Sequence, residues 1–457
     1  MRAEVFRRKP EFAELVSTWG SKTLLQYYTQ GFAQLAEPSQ DILTAISSEV
    51  STILGPDTAA HARDAVVKQK WVNTADHHGL LHHPYFYSTS LALSNKSVAL
   101  GAQATVILPF GGVSLGNDSF PRGFSFHDND VALQKIFFKS LKYRRQPVHA
   151  LAPMSQEELI HEKQRSTSFS LSKTAHDRLQ YFFDALINES RVWSQETYGA
   201  QLTVMNGVLW HQLFGNERGD FVYLEIDSVV RRLLLEKYIP NRTDIYNLIF
   251  ERAWREKFIE LFSGIQGSHD SDSGTHLFWY IDQTALTRRR LVINGDNLVT
   301  LDGTVAIPLK EETIAEGLRA RKLMPSSALT LIIVQEVENL TCGGGPSQMH
   351  YLSSYTTQWA ALLNHFGKME NKPKSIIWCG DCNLFSITNV EKNDSKSATL
   401  IDVLLYTEKR SQTVDTELAR IELSSVVDAI IPTLYTIYTG QKTNFEPNYK
   451  IPTIEIK

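Results

Sequence analysis

From residue 10 to about residue 70, apolar side chains recur three and four positions apart, in EFAELVSTWGSKTLLQYYTQGFAQL and SQDILTAISSEVSTIL, and Pro56-Asp57 opens a third such stretch ending near Lys70. That spacing predicts helices with one apolar face. A helical layer needs a surface to pack on, and the next residues, 71–75, read as a short strand. The fold class expected is therefore mixed α/β or α+β, helix-rich, with one central mixed sheet. The later pattern leaves room for a second, smaller sheet in the C-terminal half.

Further along, 85–95 reads as a helix and 97–109 as a β-rich run. Between 110 and 130 the glycines Gly111, Gly112, Gly116 and Gly123, with Pro121, predict turns with little regular structure. Residues 155–214 are helical with a polar break near 165–172, FVYLEI is a strand leading into a helix, and 244–265 is another amphipathic helix. HLFWYID and RRLVING predict strands, and Asn294-Gly295-Asp296 a hairpin turn. Helices are expected at 311–321 and 326–338, and after the glycines of CGGGP. SIIWCGDCN is strand-like, and one last helix is expected near 414–431. The division expected is a helical layer over 1–70, a catalytic α/β region over 71–265 and an α+β region over 266–457, the last two joined or separate.

The chain has 457 residues, 42% hydrophobic and 21% charged, as in an ordinary globular protein, and its formal net charge of −4 gives no global pull toward nucleic acid. No apolar run approaches the roughly 20 residues of a spanning helix. Three cysteines argue against a disulfide framework and for a reducing compartment. A cytoplasmic protein with no nucleic-acid or membrane partner is the expectation.

Function is expected around 70–84, KWVNTADHHGLLHHP, which gathers Asp76 and four of the 14 histidines. Imidazole and carboxylate together suit zinc, iron or manganese. Gly79 and Pro84 interrupt regular structure, so a loop could bring Asp76, His78 and His82 to one divalent ion while His77 or His83 serves as acid or base. The triplet Asp76-His77-His78 resembles the signature of the DHH phosphoesterases, where such residues help hold manganese. The resemblance covers those three residues, the aspartate-rich strand motif of that family does not precede them, and no role is carried over from it.

A second cluster lies at 117–130. Arg122, between Pro121 and Gly123, is placed to grip a carboxylate or phosphate, with Asn117, Ser119 and Gly123 completing a substrate-binding loop. His127 is a further acid or base and Asp128 a further metal ligand. The cysteines form a third cluster, Cys342 and Cys379-Gly380-Asp381-Cys382, which with His350 has zinc ligands to offer but reads more simply as thiols. Arg288, Arg289 and Arg290 read as a solvated strand edge.

Three functions fit these residues. The first is a metal-dependent enzyme, hydrolytic by default, on a small anionic substrate, its divalent zinc, iron or manganese ion activating water. The second is a metal-independent transferase or ligase using histidine acid–base catalysis. The third is a non-catalytic interaction protein whose histidines are structural.

Overall fold

In the strand Trp71–Asn73, neighbouring residues point to opposite sides: Trp71 packs into one apolar core and Val72 into another. The strands beside it do the same, with Ile107, Phe221 and Tyr223 in the first core and Val106, Val222 and Cys342 in the second. A sheet buried on both faces favours apolar side chains on both, which is why Val106-Ile107 and Phe221-Val222-Tyr223 read as apolar runs. A computed structural model of the chain describes residues 1–31, 35–117, 123–265, 267–268, 277–368, 377–378, 384–389, 394–408, 410–441 and 453–456.

The architecture is mixed α/β. Its central sheet has five strands, in the order Asp220–Tyr223, Ala104–Ile107, Trp71–Asn73, Thr341–Gly344, Ile377–Trp378. Every pairing in it is parallel, a uniformity that the sequence does not reveal. The first strand of the chain is central, the next two lie to one side and the last two to the other. The chain also leaves its two middle strands toward opposite faces. After Trp71–Asn73 the helix Pro84–Ala99 sends Tyr87 and Leu91 into the first core, whereas after Thr341–Gly344 the helix Pro346–His365 sends Leu352, Tyr355 and Trp359 into the second. This is a doubly wound sheet with its switch point between Trp71–Asn73 and Thr341–Gly344.

The helices Gln40–Leu54 and Pro56–Gln69 form the expected packing layer, their buried Ile46, Val50, Ala62 and Val66 lying in the second core. A second five-stranded sheet, antiparallel, runs in the order Leu323–Pro325, Phe278–Asp282, Thr287–Asn294, Asn297–Thr300, Ala306–Pro308. The expected hairpin turn is there, Asn294 pairing with Asn297 around Gly295 at φ 58°. The central sheet takes strands from both sides of residue 265.

Two expectations of irregular structure change. Residues after Gly123 form an antiparallel hairpin, Phe124–His127 with Leu133–Ile136. Cys342, Gly343 and Gly344, expected as a loop, lie in a central strand, Gly343 accepting from the Thr74 amide at 2.8 Å. No described helix is long and apolar enough to cross a membrane.

A candidate acid–base site at the carboxyl edge of the sheet

The segment after Trp71–Asn73 stays extended. Phe110 donates to the Asp76 carbonyl at 2.9 Å and accepts from the His78 amide at 2.8 Å, so 76–78 continues the pairing with the neighbouring strand. Alternate side chains of extended backbone point to opposite faces. That single fact separates the Asp76-His77-His78 triplet.

Asp76 and His78 turn toward Tyr223 and are buried. The Tyr223 hydroxyl donates to Asp76 Oδ2 at 2.9 Å, and Asn73 donates to Asp76 Oδ1 at 3.2 Å. His78 Nε2 lies 3.1 Å from the Tyr223 carbonyl and 3.3 Å from Thr203 Oγ1, and burial holds its pKa below the usual value. His82 lies elsewhere, its Nδ1 3.3 Å from Ser125 Oγ, and burial lowers its pKa to about 3. The four ligands expected for a metal are thus not gathered. Asp128, the fourth, closes its own loop by accepting from the amides of Asp130 and Ala132 and from Gln134 Nε2. Among the described residues no three histidine, cysteine, aspartate or glutamate side chains are grouped to hold a metal ion.

Other expected residues serve the fold. His83 caps the helix Pro84–Ala99, its ring accepting from the Tyr85 amide at 3.3 Å, and burial lowers its pKa to about 4. The ring Nδ1 and main-chain amide of His127 are 2.8 and 2.7 Å from the Asp402 carboxylate. Gly123 is tight against the Leu133–Ile136 strand, where a Cβ would overlap the Ile136 carbonyl. Asn117 lies in the turn that follows Ser114, to whose carbonyl its amide donates at 2.9 Å. Ser119, Arg122, Cys379, Asp381 and Cys382 lie outside the described residues, as does the side chain of His350. Cys342 is buried, which pushes its thiol pKa up.

Among the four histidines of 70–84, His77 lines a cavity of substantial size. The cavity measures about 320 Å³ and lies at the switch point, with Thr74, Ala75 and His77 from after the first strand and Gln348 and Tyr351 from after the fourth. Gln348 Nε2 ties the two sides together by donating to Thr74 Oγ1 at 2.8 Å. Asp227 closes it from after Asp220–Tyr223, and the antiparallel sheet covers it with Trp279, Arg288, Arg290 and Met324. In α/β sheets this crevice, outside the carboxyl ends of the strands where their order reverses, is the usual place for a ligand.

Its electrostatics are uneven. Asp227 is 1% exposed, its Oδ2 accepting from the amides of Gly111 at 2.7 Å and Gly112 at 3.1 Å. Burial, then the neighbouring Glu225 charge, pushes the Asp227 carboxyl up to about 6, against weaker opposing effects of His149 and the two amides. Burial alone would raise Glu225 too, but His149 and the Arg321 guanidinium outweigh it and hold that carboxyl well below the carboxylate range. Burial, helped by the charges of His83 and Arg288, lowers His77 to about 4, so its ring is neutral at neutral pH. Arg288 stacks over Trp279, 4.4 Å from the ring centroid, and donates to the Gly112 carbonyl at 2.6 Å.

A larger cavity, about 750 Å³, opens at the other edge of the sheet, near Gln103, Gly219 and Asp220. Four of its charged groups already have partners, His61 with Asp220 at 2.8 Å, Arg191 with Glu189 at 2.8 Å, and Arg218 with Asp415, and His211 and Glu217 also line it. Volume favours that cavity, but strand direction and the raised Asp227 favour the smaller one.

Asp227, Arg288 and Arg290 were not among the residues the sequence singled out for a site. One signal was available for the arginines: Arg288 and Arg290 share a strand face, opposite Arg289, which pairs with Asp282 and Asp302. Asp227 sits just after a strand but in no motif. No protein-family model matches the chain, and no curated protein matches it.

Proposed function

We propose that the protein is an enzyme that carries out general acid–base chemistry on a small anionic substrate, a carboxylate or a phosphate, in the cavity at the switch point. Asp227 handles the proton, Arg288 and Arg290 hold the negative charge, and the neutral His77 borders the substrate. What carries this reading is the coincidence, in one crevice at the carboxyl edge of a doubly wound sheet, of a carboxyl titrating near neutrality with two guanidinium groups. It keeps the metal-independent acid–base mechanism foreseen for the histidines and moves the working group to Asp227. The reading needs no step through the divalent ion expected from the sequence, whose expected ligands Asp76 and His78 bond to Tyr223 while His82 lies against Ser125.

The test is calorimetric titration and thermal melting with inorganic phosphate and with small dicarboxylates. The expected result is stabilisation of the wild type and loss of at least about tenfold in affinity in Arg288→Gln, the loss of one charge-assisted hydrogen bond. Absence of stabilisation by any of these anions, or equal stabilisation of the variant, would overturn the reading.

A further inference from the structure

Two carboxylates, Asp227 and Glu225, approach Gly111 from the start of the helix Ile226–Leu233, and Asp227 reaches Gly112 as well. Gly111 and Gly112 donate their amides to Asp227, while the Glu225 side chain occupies the space where a Cβ on Gly111 would stand. The Gly111 carbonyl in turn accepts from the His149 amide at 2.9 Å, and His149 Nδ1 is 2.9 Å from Glu225 Oε1. Ser228 Oγ donates to Glu225 Oε2 at 2.8 Å, so both oxygens of Glu225 are engaged. Neither Glu225 nor His149 is among the residues that line the cavity. His149 is 1% exposed and its Nε2 has no hydrogen-bond partner among the described residues.

We propose that Glu225 and His149 are a positioning pair that sets how firmly Asp227 holds its proton, Glu225 strengthening that hold and His149 limiting it, through their shared seat at Gly111. The inference rests on Asp227 being the proton-handling group of the cavity. Glu225 places a fixed negative charge beside Asp227 and so disfavours a second one, as happens when two carboxylates share a site. His149 partly offsets that charge, and it keeps Glu225 ionised at a fixed distance. The other charges around the unit are Arg321, 4.0 Å from Glu225 Oε2, Arg231 on the same helix, Arg288 and Arg290 from the covering sheet, and His77 and His78 from the segment after the first strand. Gly111 is in contact with both carboxylates, through its amide to Asp227 and its Cα face to Glu225.

The pair therefore makes a prediction of sign. Removing the Glu225 charge lets Asp227 ionise more readily, whereas removing His149 leaves Glu225 less compensated and makes Asp227 harder to ionise. A loosened structure would instead move both variants toward an ordinary carboxyl, in the same direction. The experiment is a pH titration of the full chain, carrying ¹³C-carboxyl aspartate, by NMR, with Asp227→Asn identifying the resonance. The expected result is a midpoint lowered by about one pH unit in Glu225→Gln, a tenfold weaker hold on the proton, and a midpoint raised in His149→Gln. Shifts of both variants in one direction, or no shift in either, overturn the proposal. Should Glu225→Gln fail to fold, His149→Gln decides alone, and an unchanged or lowered midpoint is fatal. The titration needs no substrate, so its failure is separate from a failure of the anion-binding experiment.

Discussion

The carboxyl of Asp227 is stored where its charge is disfavoured, and the cost should be measurable. Its folded value near 6 lies above the ordinary 3.8, so the folded state holds the proton more tightly than the unfolded chain does. The contribution of this group to stability is complete below the unfolded value and is lost as pH rises through about 6. Asp227→Asn removes that loss while leaving an oxygen for the two glycine amides. Urea unfolding should show the variant more stable than the wild type at pH 7.5, by on the order of 3 kcal/mol, with most of the gain gone by pH 4. A gain equal at both pH values would contradict the assignment. Gly111→Ala should act oppositely, since its methyl group displaces Glu225; a loss of about 2–3 kcal/mol in the same assay is expected for such overpacking. For the histidines, whatever metal the purified protein carries by elemental analysis should be unchanged in His82→Gln, whose ring contacts Ser125 and not Asp76 or His78. The richness of 70–84 in imidazole was legible in the sequence, and His77 does line the cavity. What was not legible was the extended backbone that turns its neighbours away, or the arginines delivered from two hundred residues further on.

Among the elements, those with a strong period were the readable ones. Pro56–Gln69, Gln40–Leu54 and Glu311–Arg319 fall where periodicity and capping residues put them, because an amphipathic helix announces its buried face locally. Thr341–Gly344 was hidden by its glycines, which are disfavoured in strands on propensity alone. Tertiary packing explains them: Gly344 lies so close to Gln348 that any side chain would collide with it, and Gln348 is the residue that bridges to Thr74. The π-helical turns Leu234–Tyr238 and Ile332–Val337, both continuing α-helices, likewise have no local signature. Asp402 shows how one buried side chain joins elements that no pattern connects. It caps the helix Leu400–Tyr406 by accepting from the Thr399 amide at 2.7 Å, and it holds His127 on the hairpin Phe124–His127 with Leu133–Ile136. Asp402→Ala leaves several buried donors without a partner. The expected cost is about 3 kcal/mol, and hydrogen exchange should show the hairpin amides losing protection before those of the central sheet.

At the scale of the whole molecule, sequence composition conveyed the class of fold but not its connectivity. Regions drawn separately as 71–265 and 266–457 contribute to one sheet, and the second core collects residues from Ile42 to Leu363. Nothing local reports that Trp71 will lie beside Thr341. A fragment ending at residue 265 keeps three of the five central strands but leaves Trp71–Asn73 as an edge and strips the second core of Leu329, Ile332, Leu352 and Trp359. We expect such a fragment to lack a cooperative thermal transition by circular dichroism, and a sharp transition near that of the full chain would refute the expectation.

That pairing also bears on how the protein is made. The middle strand leaves the ribosome well before its second neighbour, on the order of tens of seconds earlier at ordinary elongation rates. Throughout that interval the edge of the middle strand is bare and open to pairing with any other strand, until Thr341–Gly344 arrives to close it.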